Sequence, residues 1–320
     1  MTHTLLLRLA AILSLIVPTM TTNAAAPYPE RAIRLLVTSA PGSGLDAVAR
    51  TMQEELGKEL GQTIVVENRP GAAGIPGTRE ALAAKPDGYT LALVSSNHSV
   101  NPSLNESLPY DSLLDVTPIS MLGSVPLVLA VPTGSPYQTL QDLSTAMSQQ
   151  EGELNFGSSG VGSALHMATL LLEAKTNTQV MHIPYKGGNS LVTDLVSGEI
   201  DAAFLALPTA YGQITAQSLR PLAVSTKHPL NLLPTVPPLS QAGIPDYEFV
   251  PWIGVIGPAG MDEAIRTRLE QAFIKVVQSD KLKENFNTQG FITDGSSAQA
   301  FAAFLKDDLA NSAALIQQQK

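Results

Sequence analysis

The chain has 320 residues, of which 44% are hydrophobic and 15% charged: enough apolar material for one or two packed domains, and too little charge for a disordered chain. Its formal net charge is −9 and it contains no run of Lys or Arg, so nucleic acid is a poor candidate partner and a bound anion must be held by local geometry rather than global attraction. Cysteine is absent, which excludes disulfides, thiolate catalysis and Cys-ligated zinc; His3, His98, His166, His182 and His228 include no pair at metal-ligand spacing, so neither a metal nor a cofactor is expected.

The N-terminus reads as a cleavable export signal over residues 1–25. Arg8 follows a short polar start, Leu9 to Val17 is apolar, and the small residues Ala24, Ala25 and Ala26 surround the expected cleavage point. The apolar run is too short to span a bilayer. No cysteine follows it to carry a lipid, and no twin-Arg pair precedes it, so the general route for unfolded chains is expected. No later stretch reaches the ~18 apolar residues of a membrane span, and the mature chain is expected to be soluble rather than membrane-embedded.

From Ile33 onward strand and helix patterns alternate. Ile33 to Val37 is a buried-strand run; Leu45, Val48, Ala49, Met52, Leu56 and Leu60 recur at helical spacing and Gly61 closes that helix. Strands over 63–66 and 90–94 flank a loop at 69–74 and a short helix over 75–84, a βαβαβ unit with a parallel sheet. Ile119–Leu122 and Leu127–Val131 are strand-like. A second set follows, with helices near 139–149, 163–175, 188–197 and 209–216 and strands near 154–157, 180–183, 201–205 and 222–225. After a Pro-rich connection from Pro229 to Pro245, Trp252 to Gly257 reads as a strand and two helices close the chain, the last opened by Ser296 and Gln299 in capping-box spacing and burying Phe301, Phe304, Leu305 and Leu309. The fold class expected is α/β with two lobes, each a mostly parallel sheet flanked by helices. The chain crosses between them twice: residues 26–125 with 252–320 form one lobe, and residues 126–251 the other.

Two glycine- and serine-rich loops stand where a strand gives way to a helix: Ala40-Pro41-Gly42-Ser43-Gly44-Leu45-Asp46, and Gly157-Ser158-Ser159-Gly160-Val161-Gly162-Ser163. Each leaves backbone N–H groups at the positive end of a helix dipole, and neither contains Lys or Arg, which suggests two half-sites for a small anion such as a carboxylate. The first loop also fits the dinucleotide fingerprint, with Glu67 near the position of a ribose-binding acid, but Ala40-Pro41 lengthens the turn and an exported chain would have to find its nucleotide outside the cell. The second departs from the hydrolase elbow at Val161 and from the P-loop in lacking Gly-Lys-Ser/Thr. Ser158, Ser159 and Ser163 are then either ligand donors or a helix cap without a ligand. Ser96, Asn97 and His98 follow the third strand, where open α/β sheets place ligands. Asp46 and His166 are read as braces of their loops, and Tyr185 and Lys186 as residues within reach of a cleft.

Taken together the blocks resemble the solute-binding proteins of the tripartite tricarboxylate transporter type, the Bug family. The resemblance rests on Tyr28-Pro29-Glu30-Arg31-Ala32-Ile33-Arg34, Glu67-Asn68-Arg69-Pro70-Gly71-Ala72-Ala73-Gly74, Pro86-Asp87-Gly88-Tyr89-Thr90-Leu91, Phe156-Gly157-Ser158-Ser159-Gly160 with His166, Pro184-Tyr185-Lys186-Gly187, Leu222-Ala223-Val224 and Pro258-Ala259-Gly260. It implies a non-enzymatic, periplasmic, two-lobed (Venus flytrap) binding protein, expected as a monomer. Such a protein closes by a hinge on a small carboxylate, a di- or tricarboxylate or an aromatic acid, and presents it to membrane transporter subunits. Delivery to a sensor receptor is the alternative, and an exported serine hydrolase a more distant one. The resemblance further implies that the two opposing loops hold one carboxylate, partly through water. The ligand residues so expected are Ser39, Pro41, Gly42, Ser43, Gly44, Ser96, Asn97, His98, Ser158, Ser159, Gly160, Ser163, Tyr185, Leu205 and Pro208, with Asp46 and His166 as structural support. Two positions depart from the family pattern: Ser39 replaces a bulky aromatic in the first loop, and Leu205 stands where an acid often follows Phe204, which argues against an amino-acid ligand and for a larger or partly apolar acid.

Overall fold

A computed structural model describes residues 28–185, 188–288 and 290–318; the export signal expected over 1–25 and the pair Lys186 and Gly187 lie outside them. In chain order a first unit runs β1 (Ile33–Val37), α1 (Gly44–Leu60), β2 (Ile64–Asn68), α2 (Ile75–Leu82), β3 (Thr90–Ser95), α3 (Asn97–Leu104) and β4 (Val116–Ser124). A second comprises β5 (Leu127–Pro132), α4 (Leu140–Gln149), β6 (Asn155–Ser158), α5 (Ala164–Thr176), β7 (Met181–Pro184), α6 (Gly188–Ser197), β8 (Ala202–Ala206), α7 (Leu207–Thr215) and β9 (Leu219–Val224). The chain returns to the first with β10 (Trp252–Pro258), α8 (Glu263–Val277), α9 (Asp280–Thr288), β11 (Ile292–Thr293) and α10 (Ala298–Gln317).

Local chemistry accounts for most of these boundaries. Ser43 caps α1 by accepting from the Asp46 N–H, and Gly61 ends it at φ 69°, where a Cβ would be strained. Thr139 and Asp142 form a reciprocal capping box on α4. The final helix is capped by Ser297, which accepts from the Ala300 N–H, and not by Ser296, whose hydroxyl oxygen accepts from the Met121 N–H instead. Three C-terminal helices close the chain rather than two. The helix α3 was not expected at all: Asn97, Ser99, Asn101 and Pro102 are poor helix formers, and tertiary hydrogen bonds from His98 Nε2 to the Ser112 carbonyl and from Asn101 Nδ2 to the Ala73 carbonyl hold it.

The first sheet is ordered β11-β4-β10-β3-β1-β2 and the second β7-β6-β8-β5-β9. Both are mixed sheets in which most strands run the same way. β1 pairs in parallel with β2 and β3, and β6 with β7 and β8, but β4, β10 and β11 and likewise β5 and β9 pair antiparallel. The reason is connectivity. The strands that carry the chain out of each sheet and back into it lie side by side and run in opposite senses.

Helices cover both faces of each sheet. Ile33, Leu35 and Val37 pack toward α1 and α8, whereas Leu36, Ala92 and Val94 pack with Trp252, Phe301 and Leu305. In the second sheet Leu127, Leu129 and Val131 join Phe156, Phe204 and Tyr247, while Val128 and Ala130 face Leu191 and Leu195 of α6. This period-two alternation in β5 is what a strand buried on both faces requires. The last turns of α10 reach across: Ile316 packs with Val100 of α3 and with Met167 and Leu170 of α5.

The two crossings are bonded to each other. The Val125 N–H donates to the Pro251 carbonyl at 2.8 Å. One step on, the Leu127 N–H donates to Ser225 Oγ at 3.0 Å, and the Ser225 N–H returns a bond to the Leu127 carbonyl at 2.9 Å.

Candidate functional site

Strand order locates the site. In the first sheet β2 and β3 lie on opposite sides of β1, so the connections leaving the C-terminal ends of β1 and β3 diverge; β6, flanked by β7 and β8, repeats this in the second sheet. Such a divergence opens a crevice at the strand ends. The connections at these places are the two Gly/Ser loops together with residues 95–97 and 206–209.

Both crevices open onto one cleft between the sheets. Its main chamber, about 350 Å³, is bounded on one side by Gly44 and Leu45 of α1 and by Ser95, Ser96 and Asn97. Opposite stand Ser159, the start of α5 at Ala164 and Leu165, the end of β8 at Leu205 and Ala206, and Thr209. The crossing segments supply Val125, Leu127 and Pro251 to Ile253, and α6 supplies Leu191 and Val192. A side chamber of about 300 Å³ shares Leu45, Ser95 and Asn97 with it and is lined by Thr38, Ser39, Ser43 and the turn Gly71 to Gly74. Among the described residues lining either chamber none carries a charge.

Hydrogen-bond donors are nevertheless available. Ser39 Oγ and Ser43 Oγ lie 2.6 Å apart, and Ser43 Oγ already accepts from the Asp46 N–H. Whichever hydroxyl donates to the other, one O–H remains free. The Ser95, Asn97 and Ser159 side chains make no hydrogen bond to another described residue, so they too can turn to a ligand. In the turn beside them Ala72 and Ala73 sit at φ 40° and 53°, left-handed positions that non-glycine residues occupy at a cost of order 1–3 kcal/mol each and that cluster at binding sites.

The second loop is braced from behind. Ser158 is fully buried: its Oγ lies 2.6 Å from His182 Nε2 and accepts from the Gly160 N–H at 3.1 Å. Ser163 caps α5 by accepting from the His166 N–H, and His166 Nδ1 accepts from the Gly162 N–H at 3.1 Å, which fixes the proton of neutral His166 on Nε2. The His166 and His182 rings stack at 3.9 Å. Burial, with His182 beside it, pushes the His166 imidazole down to about 4, and burial likewise lowers His182, so the pair is neutral at pH 7. The first loop is braced by Asp46, whose carboxylate accepts from the Gly42 N–H at 2.8 Å, from Arg50 Nε at 3.0 Å and from Asn68 Nδ2 at 2.9 Å. The Arg50 bond is the largest influence holding that carboxyl down at about 2.

Of the residues expected at the site, Ser39, Ser43, Gly44, Ser96, Asn97, Ser159 and Leu205 stand on the chamber walls. Pro41, Gly42 and Gly160 belong to the same turns but form no wall, and Pro208 is at the exposed start of α7. Ser158 and Ser163 are occupied in bracing and capping. His98 is 2% exposed, stacked on Tyr110 and bonded to the Ser112 carbonyl, so it supports α3 from the core side. Tyr185 donates its hydroxyl to Asp194 Oδ2 at 2.8 Å, away from the chambers.

The walls from the crossing segments and α6 were not expected, because their residues are ordinary core types that no motif marks. The Gly71–Gly74 turn was visible as a Gly/Ala loop and carries the left-handed alanines. Two rival readings lose their residues: Glu67 is tied to Arg34 and Arg69, each at 2.8 Å, and is not free for a ribose, while Ser158 is buried against half-buried His182, whose imidazole has no carboxylate bonded to it among the described residues.

Two α/β units that share a cleft at their strand ends and are joined by adjacent crossings define the class of periplasmic binding proteins. Residues 48–320 match the family described as "Tripartite tricarboxylate transporter family receptor", and the chain belongs to that family of periplasmic solute-binding proteins. It is similar to the protein BugT of Bordetella pertussis, 33% identical over 318 residues covering 97% of each chain. Among solved structures it resembles a periplasmic transporter at a TM-score of 0.81, with 32% identity over 92% of this chain and 98% of the other. An R. palustris protein solved with adipate also matches at 0.81, with 28% identity over 91% and 98%.

Proposed function

We propose that this chain is exported to the periplasm and captures a small organic carboxylate between its two lobes, residues 26–125 with 252–320 on one side and 126–251 on the other. The hinge is the pair of crossings at 125–127 and 225–251. The ligand bridges the lobes and stabilises the closed population, which is then recognised by membrane transporter subunits. The observation that carries this reading is the shared cleft: the two Gly/Ser loops, distant in sequence, border one cavity with free hydroxyl and amide donors and, among the described residues, no charged wall. A carboxylate held by such donors gains charge-assisted hydrogen bonds, each ~1.5–3 kcal/mol, without a cationic side chain.

A thermal-shift screen over organic acids tests it. At ~100-fold excess over the dissociation constant a ligand adds ~2.7 kcal/mol of stability. Ser39→Ala and Asn97→Ala should each weaken the binding acid by about tenfold, consistent with one lost charge-assisted bond. If no organic acid stabilises the protein, the reading fails.

A further inference from the structure

The cleft is divided by chemistry. The side chamber is walled by hydroxyls, Asn97 and the turn at 71–74, whereas the main chamber, apart from Ser95, Ser96, Asn97, Ser159 and Thr209, is walled mostly by hydrocarbon such as Val125, Leu127, Leu191, Leu205, Trp252 and Ile253. The two are continuous through Leu45, Ser95 and Asn97. Building on the carboxylate reading above, we propose that the ligand is a monocarboxylate with an apolar body, an unsubstituted aromatic or medium-chain aliphatic acid, whose carboxylate lies at the polar chamber and whose hydrocarbon fills the main one.

Desolvation favours such a ligand. A second carboxylate at the far end of the ligand would enter a chamber in whose described walls hydrocarbon outweighs the neutral side chains of Ser96, Ser159 and Thr209, and an ion moved from water to mostly apolar surroundings without a charged partner is disfavoured. An aromatic ring or a chain of five or six carbons instead buries apolar surface against apolar surface. The volume agrees: about 350 Å³ accommodates one ring or a short chain but not a large conjugate. Leu205 is decisive for polarity here, because it is 2% exposed at the end of β8 and presents hydrocarbon where a polar side chain would favour a polar ligand.

Isothermal titration of the purified protein with benzoate, hexanoate, benzamide, adipate and malate tests the proposal. Benzoate or hexanoate should bind at least about 30-fold more tightly than adipate or malate, with a negative heat-capacity change from apolar burial. Benzamide, which keeps the ring but lacks the charge, should bind at least about tenfold more weakly than benzoate. Val192→Asp, on the half-buried face of α6, should weaken the monocarboxylates by at least about tenfold while leaving the circular dichroism spectrum unchanged. Equal or tighter binding of adipate or malate overturns this inference and leaves the carboxylate reading standing; equal binding of benzamide, or silence with every acid, overturns both.

Discussion

The Ser158 hydroxyl oxygen lies 2.6 Å from Nε2 of His182, whose ring stacks on His166 at 3.9 Å. The loop that borders the cleft therefore rests on two neutral imidazoles. Both have folded-state pKa values below the ordinary 6.5, with His166 at about 4, so the unfolded chain takes up protons first on acidification. The stabilisation is fully present above about pH 6.5 and is lost as pH falls toward 4. Melting temperature should fall across that window. In His166→Asn, whose side-chain oxygen can still accept from the Gly162 N–H, the fall should be shallower; an unchanged pH profile would contradict this account.

Asp46 is 4% exposed and completes the first loop through Gly42, Arg50 and Asn68. Asp46→Ala should cost about 1–3 kcal/mol in urea unfolding, because the Gly42 N–H and the Arg50 guanidinium lose their acceptor. Its carboxyl is held at about 2, below the unfolded value, so this contribution is present above about pH 4 and lost as pH falls through 2. Asp46→Asn should recover only part of the loss.

Gly162 sits at φ 74°, and a Cβ there would run into the Leu104 side chain of α3. Gly162→Ala should destabilise by about 1–2 kcal/mol from the left-handed backbone alone, with a further penalty from the collision. Adding Leu104→Ala should remove the collision but not the backbone cost. A double-mutant cycle by chemical denaturation measures the coupling, and full additivity would place the two residues out of contact.

Ser225 and Leu127 are 0% and 1% exposed, and their reciprocal bonds tie the crossing segments at the cleft wall. Ser225→Ala leaves the Leu127 N–H buried without its side-chain acceptor and should cost about 1–3 kcal/mol. It should also weaken ligand binding, because Leu127 lines the main chamber. Stability and titration calorimetry read the two effects separately.

Much of the fold is legible in the linear chain. The apolar stripe from Leu45 to Leu60, the Gly61 stop and the strand at Ile33–Val37 follow from local periodicity and capping, and the structure places them within a residue or so. Likewise the two Gly/Ser loops announce themselves, since glycine and serine before a helix are needed there for backbone reasons wherever the helix later packs. What the chain does not show is α3, whose Asn, Ser and Pro residues are held helical by partners at Ser112 and Ala73, or the true cap at Ser297, one residue beyond the one that spacing favours.

The amino-acid sequence by itself determined the alternating α/β pattern, the family, the acid-free position at Leu205 and the donor-rich loops, because each is a matter of residue type and short-range spacing. Only the tertiary structure decided which residues face the cleft. Pairing β4 with β10, and β5 with β9, brings Val125, Leu127 and Trp252 to one wall while turning His98, Ser158 and Tyr185 to inner partners. The physical reason is that a side chain's chemistry is set by what surrounds it, and those surroundings are assembled from segments that no short-range pattern connects.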